Sequence, residues 1–188
     1  VKSNIPTISS VKPYTPLELH GRNIYVREGC YTCHSQMIRP FRDEVARYGD
    51  YSKAGEFVYD HPFQWGSKRT GPDLARVGGK YPDSWHYNHM MDPTSMTSGS
   101  LMPTYPWLFT DRIDKTKTYD MIKAMKKLGV PYGSGYENQA NNDLDKQAEK
   151  IQKSLAKDKI QVKKTDEIVA LIAYLQRLGT DIKKEQKQ

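Results

Sequence analysis

The two cysteines of this 188-residue chain, Cys30 and Cys33, stand in the segment CYTCH, directly before His34. Thiols and imidazoles are the side chains that exchange disulfides, bind transition metals and attach cofactors covalently. Because the sequence contains no further cysteine, thiol chemistry in this chain is confined to these residues. The segment is therefore the first candidate for a functional site.

Four kinds of site could use this spacing. A disulfide across so short a loop would remove little chain entropy. A thioredoxin-like redox pair is expected beside strands, and the strand-like alternation is missing here. A zinc site needs four ligands, and the chain has no second cysteine pair. Covalent attachment of one haem c uses Cys-x-x-Cys-His, and we favour it, with thioether bonds at Cys30 and Cys33 and iron ligation by His34.

Haem iron in an electron carrier usually has a second axial ligand, which is a methionine or another histidine. Met102 lies in TSGSLMPTYPWLF, where Gly99, Pro103 and Pro106 argue against a helix. A proline directly after the methionine would hold its sulfur near the iron with less entropy to lose. We therefore predict Met102 as the distal ligand.

Other sulfur and imidazole ligands stay open as alternatives. Met96, in the same loop, is the second choice among the methionines. His86 and His89 could supply an imidazole, although a histidine on a helix is more often a core or surface residue. Met37 is expected to lie on the same side of the ring as His34. The remaining methionines are expected to pack in the core: Met90, Met91, Met121 and Met125.

A second contact of the proximal histidine is predicted from RTGPDLARVGGKYP. An iron-bound histidine usually donates its other ring N–H to an acceptor, which fixes the ring and raises its basicity. The carbonyl of Pro72, on the tight Gly71–Pro72 turn, is our candidate acceptor. An ordinary turn before a short helix explains the same residues, and the sequence alone does not choose between them.

Two terminal helices are expected to position the motif. Thr15 and Glu18 form a capping box with proline at the first helical position, which begins a helix that runs to about Glu28 and delivers the chain to Cys30. Gly21 within this helix predicts a close crossing with another helix. The partner helix is predicted in TDEIVALIAYLQRLG, which begins after Thr165 as N-cap and stops at Gly179. Its apolar residues fall on one face: Ile168, Leu171, Ile172, Leu175 and Leu178.

The rest of the chain is expected to belong to the same domain. Two further helices are predicted in PDSWHYNHMMDP and DKTKTYDMIKAMKKLG. We assign residues 1–14 to a linker that follows a missing membrane anchor and 15–188 to one domain with insertions at about 38–68 and 134–164. The second insertion should contain an outer helix with a narrow apolar stripe: Ala140, Leu144, Ala148, Ile151 and Leu155.

Composition restricts the class of protein. Apolar residues make up 37% of the chain, and the mean hydropathy is −0.80. This apolar content is low for a core of this size unless a large apolar cofactor fills the interior. The net charge is +7, but the lysine-rich stretch 146–164 contains no aromatic residue, which argues against a nucleic-acid partner. No run reaches the roughly 18–20 apolar residues of a membrane helix.

Several stretches together resemble a class I cytochrome c domain: CYTCH, TGPDLARVGGKYPDSWH, LMPTYPWL and EIVALIAYLQRLG. More narrowly, residues 21–57 and HPFQWGSKRTGPDLARVGGKYPDSWHYNHMMDP are similar to the monohaem subunit (CcoO/FixO) of cbb3-type cytochrome c oxidase. The resemblance runs from about residue 17 to 110, with the terminal helix in support. It implies an all-α, class I cytochrome c-like haem domain with long loop and helical insertions.

The resemblance also implies partners and a location. In that family the domain lies on the periplasmic face of the bacterial cytoplasmic membrane, and here the link to the membrane would be an anchor or complex outside this chain. Its partners would be the haem-copper catalytic subunit, another cytochrome c subunit of the oxidase and an electron-donor cytochrome. The complex reduces oxygen and translocates protons, whereas this domain only transfers electrons. The implied ligands of the haem iron are His34 and Met102.

Two other functions share part of this evidence. A free-standing periplasmic cytochrome c that shuttles electrons has the same haem residues and is the main alternative. A metal-free thiol oxidoreductase would leave Met102 and its proline-rich loop unexplained. Within the favoured function, we expect haem propionates or a partner subunit to pair with one or more of four arginines: Arg39, Arg42, Arg69 and Arg76.

Overall fold

A computed structural model describes residues 8–66 and 68–185, whose regular secondary structure is helical, as expected for an all-α fold. Apart from a single bridge between Arg112 and Asp166, the described residues form no β-structure. The all-α, cytochrome c-like fold class is confirmed. Within the described ranges the α-helices are α1 (Pro16–Arg27), α2 (Arg42–Tyr48), α3 (Asp83–Met91), α4 (Pro93–Met96), α5 (Thr118–Lys127), α6 (Ala140–Lys157), α7 (Glu167–Arg177) and α8 (Thr180–Glu185).

Helix α1 begins at the predicted capping box. The backbone N–H of Thr15 donates to Glu18 Oε2 at 2.8 Å, and the N–H of Glu18 donates to Thr15 Oγ1 at 3.3 Å. Each side chain thus satisfies a backbone donor that the first turn leaves without a partner. The helix ends at Arg27, so its last turn leads directly into Gly29 and Cys30.

The crossing of α1 with α7 forms the centre of the core. A Cβ on Gly21 would lie 2.8 Å from Tyr174 Cβ and closer still to the carbonyl oxygen of Ala170, so only glycine lets the two backbones approach this closely. The rings of Tyr25 and Tyr174 pack beside this point with centroids 5.3 Å apart. The predicted close crossing is confirmed, and it ties the helix before Cys30 to the last long helix.

The beginning of α7 differs by one residue from the prediction. Its N-cap is Asp166, whereas Thr165 was expected. Tertiary contacts explain the shift, because the Thr165 carbonyl accepts from Ile113 N at 2.8 Å and the Glu167 N–H donates to Asp111 O at 3.0 Å. Chain pairing at 111–113 therefore holds Thr165 outside the helix. The helix ends at Arg177, before Gly179, which adopts a φ of +73°.

Helix α6 lies on the outside of this core, within the predicted insertion at 134–164. It packs on α1, α5 and α7. Its lysines face outward, and its apolar stripe is buried as predicted: Ala140, Leu144, Ala148, Ile151 and Leu155. Helix α6 thus contributes its apolar stripe to the core and leaves a charged surface.

Helices α3 and α5 also occupy their predicted segments, and α3 ends before Pro93. In the described residues no helix has the length and apolarity to cross a membrane. Residues 1–7 of the expected linker lie outside the described ranges, while Val11 is buried and the N–H of Lys12 donates to Asp181 Oδ2 at 2.9 Å. The boundary between linker and domain stays a prediction.

Candidate haem site

The two cysteines and His34 share a single tight turn. Gly29, with a φ of +70°, reverses the chain after α1, and Cys30–Thr32 forms one turn of 3₁₀ helix. The backbone N–H of His34 donates to the carbonyl of Cys30 at 2.9 Å. Cys30 is half-buried against the main core and Cys33 is exposed, and both thiols are free. One rigid turn therefore presents both sulfurs and the imidazole.

The environment of Cys30 argues against thiol exchange. Burial raises the pKa of the Cys30 thiol to about 12, and the neighbouring carboxylate of Glu28 acts in the same direction. Thiolates are the nucleophiles of disulfide exchange, and reactive cysteines have lowered pKa values. Cys30 in the folded chain therefore does not fit the attacking cysteine of a thiol oxidoreductase.

The imidazole of His34 is fixed by the turn at residues 71 and 72. Its Nδ1 lies 2.8 Å from the carbonyl oxygen of Pro72, to which it donates a hydrogen bond. A Cβ on Gly71 would lie 2.7 Å from Nδ1 and 2.8 Å from Nε2, so the backbone of Gly71 packs against the ring itself. With Nδ1 occupied in this way, Nε2 is the nitrogen that can bind a metal.

The loop that carries Met102 is anchored beside this turn. The backbone N–H of Tyr105 donates to Met90 O in α3 at 3.1 Å, and Trp107 Nε1 donates to Glu28 Oε2 at 3.1 Å. Met102 is half-buried and packs against the main core, as do Cys30 and Tyr105. The loop is thus attached to α3 and, through Trp107, to the residue that follows α1.

Both alternative imidazole ligands lie on α3. His86 is buried, and its Nε2 has no partner among the described residues. His89 is half-buried and stacks on Trp85, with centroids 4.6 Å apart. Burial lowers the pKa of His89, and the neighbouring His34 acts in the same direction. Helix α3 therefore lies near His34, on the side of His89.

The remaining methionines occupy other surroundings. Met96 is half-buried at the end of α4, and Met91 is exposed. Met90 is buried in the main core, and Met125 is buried in a second cluster against which Met121 packs. For these three, packing in the core is the role that the structure shows.

Three of the four arginines expected to pair with haem propionates or with a partner subunit already bind carboxylates of this chain. These ion pairs compete with the expected pairing, which stays a prediction for all four arginines, and Arg42 is exposed on α2. The pairs are Arg39–Glu44, Arg69–Glu44, Arg69–Asp73 and Arg76–Glu56.

The ion pairs of Glu44 make stability depend on pH. Hydrogen bonds from Arg69 lower the pKa of Glu44 to about 2, from an ordinary value of 4.5. A group whose pKa falls on folding stabilises the protein above its unfolded pKa and loses this effect as the pH falls toward its folded pKa. We expect Glu44→Gln to lower the free energy of unfolding at pH 7 and the deficit to shrink between pH 4.5 and pH 2.

Urea unfolding at a series of pH values measures this difference between wild type and variant. A deficit that stays constant from pH 7 down to pH 2 would show that the charge of Glu44 is not its cause. Sequence reasoning missed Glu44, because it lies in the stretch 38–68, where no periodicity was found.

The side chains gathered here fit a covalent haem. They provide two free thiols on one turn, an imidazole whose Nδ1 already has an acceptor, and a half-buried thioether on an anchored loop. A thiol pair can bind a porphyrin edge, and histidine with methionine is a usual axial pair for haem iron. The backbone at Gly71 also leaves room for the flat ring of His34.

Comparison with known proteins identifies the family of the chain. The curated proteins contain no match to the chain. A model of the family described as cytochrome c oxidase, mono-heme subunit/FixO, matches residues 1–182. Such a subunit carries one haem and takes part in the electron transport of the respiratory chain, in a membrane-associated oxidase. Because the match covers nearly the whole sequence, the chain belongs to the FixO family of mono-haem cytochrome c oxidase subunits.

Proposed function

We propose that this chain transfers electrons through one haem c that is bound by thioethers at Cys30 and Cys33. His34 would be the proximal iron ligand and Met102 the distal one. The bound haem supplies the iron that alternates between its ferric and ferrous states. The observation that carries the proposal is the single turn that holds Cys30, Cys33 and His34, with His34 Nδ1 already donating to Pro72.

The polypeptide itself orients and shields the cofactor. The hydrogen bond to Pro72 leaves Nε2 of His34 as the iron-binding nitrogen and makes the imidazole a better electron donor. A methionine opposite histidine raises the reduction potential. The transfer of an electron makes and breaks no covalent bond. The protein therefore acts on the reaction through these effects on the iron.

In the oxidase, the domain would accept electrons from a donor cytochrome or from another cytochrome c subunit and pass them to the haem-copper catalytic subunit. It would lie on the periplasmic face of the bacterial cytoplasmic membrane. The family match favours this role over a free-standing periplasmic shuttle, because the matching family is named as an oxidase subunit. The division into a linker at 1–14 and one domain at 15–188 belongs to the same proposal.

The ligand set can be tested with Met102→Leu in protein matured with the c-haem machinery. Leucine keeps the volume of the side chain but removes the sulfur. We expect ferric wild type to show the weak far-red absorption of a methionine–iron bond and the variant to lose it. The reduction potential should fall in the variant, because the methionine that raises it is gone. Optical spectra and a redox titration measure both changes.

Met96→Leu is the matched control, since Met96 is the second methionine of the loop and should leave the spectrum unchanged. Loss of the band in Met96→Leu, with the band kept in Met102→Leu, would exchange the two assignments. A wild-type protein with covalent haem but without the band would point to His89. Wild type that takes up no covalent haem would refute the proposed function.

A further inference from the structure

A cluster of polar side chains joins the two chain segments that meet at His34 and Pro72. We call these four residues the clamp: Ser35, Glu44, Arg69 and Asp73. Three of them are buried, with exposed fractions of 4% for Ser35, 8% for Glu44 and 7% for Asp73. Burying a carboxylate costs free energy unless it is paired, and the contacts within the clamp provide this pairing.

Asp73 ties its own segment to the residues after His34. Its Oδ2 accepts from Ser35 Oγ at 2.6 Å and from the backbone N–H of Met37 at 2.9 Å. Its Oδ1 accepts from the N–H of Ala75 at 2.8 Å. One carboxylate therefore holds residues on both sides of the His34–Pro72 hydrogen bond.

Arg69 completes the clamp from the other side. Its Nε donates to Ser35 Oγ at 2.7 Å, and its Nη2 donates to the Met37 carbonyl at 2.9 Å. The same Nη2 donates to Glu44 Oε2 at 2.6 Å. Glu44 in turn accepts from the backbone N–H of Arg39 at 2.9 Å. Helix α2, within the insertion at 38–68, is thereby attached to the segment that contains Pro72.

Backbone hydrogen bonds run between the same two segments. The N–H of Gly71 donates to Cys33 O at 3.0 Å, and the N–H of Leu74 donates to Ser35 O at 2.8 Å. The contact of His34 Nδ1 with Pro72 O lies between these two bonds. A change in the spacing of the segments would therefore alter the length of this contact together with the two backbone bonds.

We infer that the clamp is a positioning device for His34, which holds the Pro72 carbonyl against Nδ1 and thereby sets the reduction potential of the bound haem. A strong acceptor at Nδ1 makes the imidazole a better donor and stabilises the ferric state, so it lowers the potential. The inference rests on the proposed function. It also gives the insertion at 38–68 a role, since Glu44 anchors Arg69.

Arg69→Lys and Ser35→Ala test the inference without changing the net charge. Lysine keeps the charge of Arg69 but lacks the planar fork that reaches three acceptors at once. Alanine removes the hydroxyl that lies between Arg69 and Asp73. In both variants we expect a higher reduction potential than in wild type. We also expect the His34 Nδ1 proton of the reduced protein to exchange with solvent about tenfold faster, the effect of losing about one net hydrogen bond.

Arg76→Lys is the matched control. Arg76 lies in the same stretch and forms a two-pronged ion pair with Glu56, at 2.6 and 2.8 Å, outside the clamp. Its replacement should leave both the potential and the proton exchange near the wild-type values. A redox titration and proton NMR of the reduced protein provide the two measurements.

The inference is overturned if Arg69→Lys and Ser35→Ala behave like Arg76→Lys in both measurements. Should Arg69→Lys fail to fold, Ser35→Ala decides alone, because it removes only one hydroxyl group. Haem that attaches with normal axial ligation while the clamp variants change nothing would refute this inference and leave the proposed function intact. Failure of the wild type to take up covalent haem would refute both.

Discussion

Replacing Gly71 by alanine is expected to displace His34 from the Pro72 carbonyl and to abolish normal ligation by this histidine. A Cβ at residue 71 would lie 2.7 Å from Nδ1 and 2.8 Å from Nε2, well inside van der Waals contact. The atoms it meets belong to a rigid ring, which is already held by its hydrogen bond to Pro72. Either the ring or the turn must move, and both movements break that bond.

We expect the yield of low-spin protein with methionine–iron absorption to fall at least about tenfold in Gly71→Ala, in line with the usual cost of overpacking a rigid site. Haem content and the optical spectrum measure this loss. Gly133→Ala is the control, because a Cβ there would meet nothing within 4 Å. Gly71→Ala with wild-type spectrum and yield would show that the turn can yield and that His34 is not fixed by it.

Replacing Gly21 by alanine should have the largest effect on stability. Within a helix, alanine is favoured over glycine by about 1 kcal/mol. Here the added Cβ would lie 2.8 Å from Tyr174 Cβ and closer to the Ala170 carbonyl, so α1 and α7 would have to separate. Overpacking typically costs about 1–3 kcal/mol, and a clash with backbone lies at the upper end or beyond. The clash therefore outweighs the gain in helix propensity.

Urea unfolding of the two proteins measures the difference, which we expect to reach about 3 kcal/mol against Gly21→Ala. Gly133→Ala again serves as the control, with an expected change within about 0.5 kcal/mol. Equal or greater stability of Gly21→Ala would mean that the helices separate at little cost, and that their close approach is not what holds the core together.

Local patterns in the sequence predicted the parts of the fold whose causes are local. The capping box at Thr15 and the apolar stripe of α6 depend on residues within a few positions of one another, and both are present. Gly21 predicted a close crossing of two helices, because a helix interior rarely contains glycine without a packing reason. The CYTCH motif works in the same way, since one turn contains all of its reactive groups.

The remaining features depend on partners far along the chain. Helix α2 has seven residues and is anchored through Glu44 to Arg69, so no apolar periodicity marks it. Thr165 has the composition of an N-cap, but its carbonyl pairs with Ile113 and the helix begins later. The clamp left one weak signal, an arginine and an aspartate four residues apart in RTGPD, which sequence alone does not distinguish from a surface ion pair.

The burial of Cys30 constrains the order in which the protein is made. In the folded chain this thiol lies against the core, and its raised pKa keeps it protonated. The helix that precedes it meets α7 only after the intervening chain has been synthesised, since Gly21 contacts Ala170 and Tyr174. Before that loop closes, the Cys30 sulfur is open to the solvent, as Cys33 still is in the folded chain. Under the proposed function, haem attachment is therefore expected to precede complete folding, and slow closure between distant helices would provide the time for it.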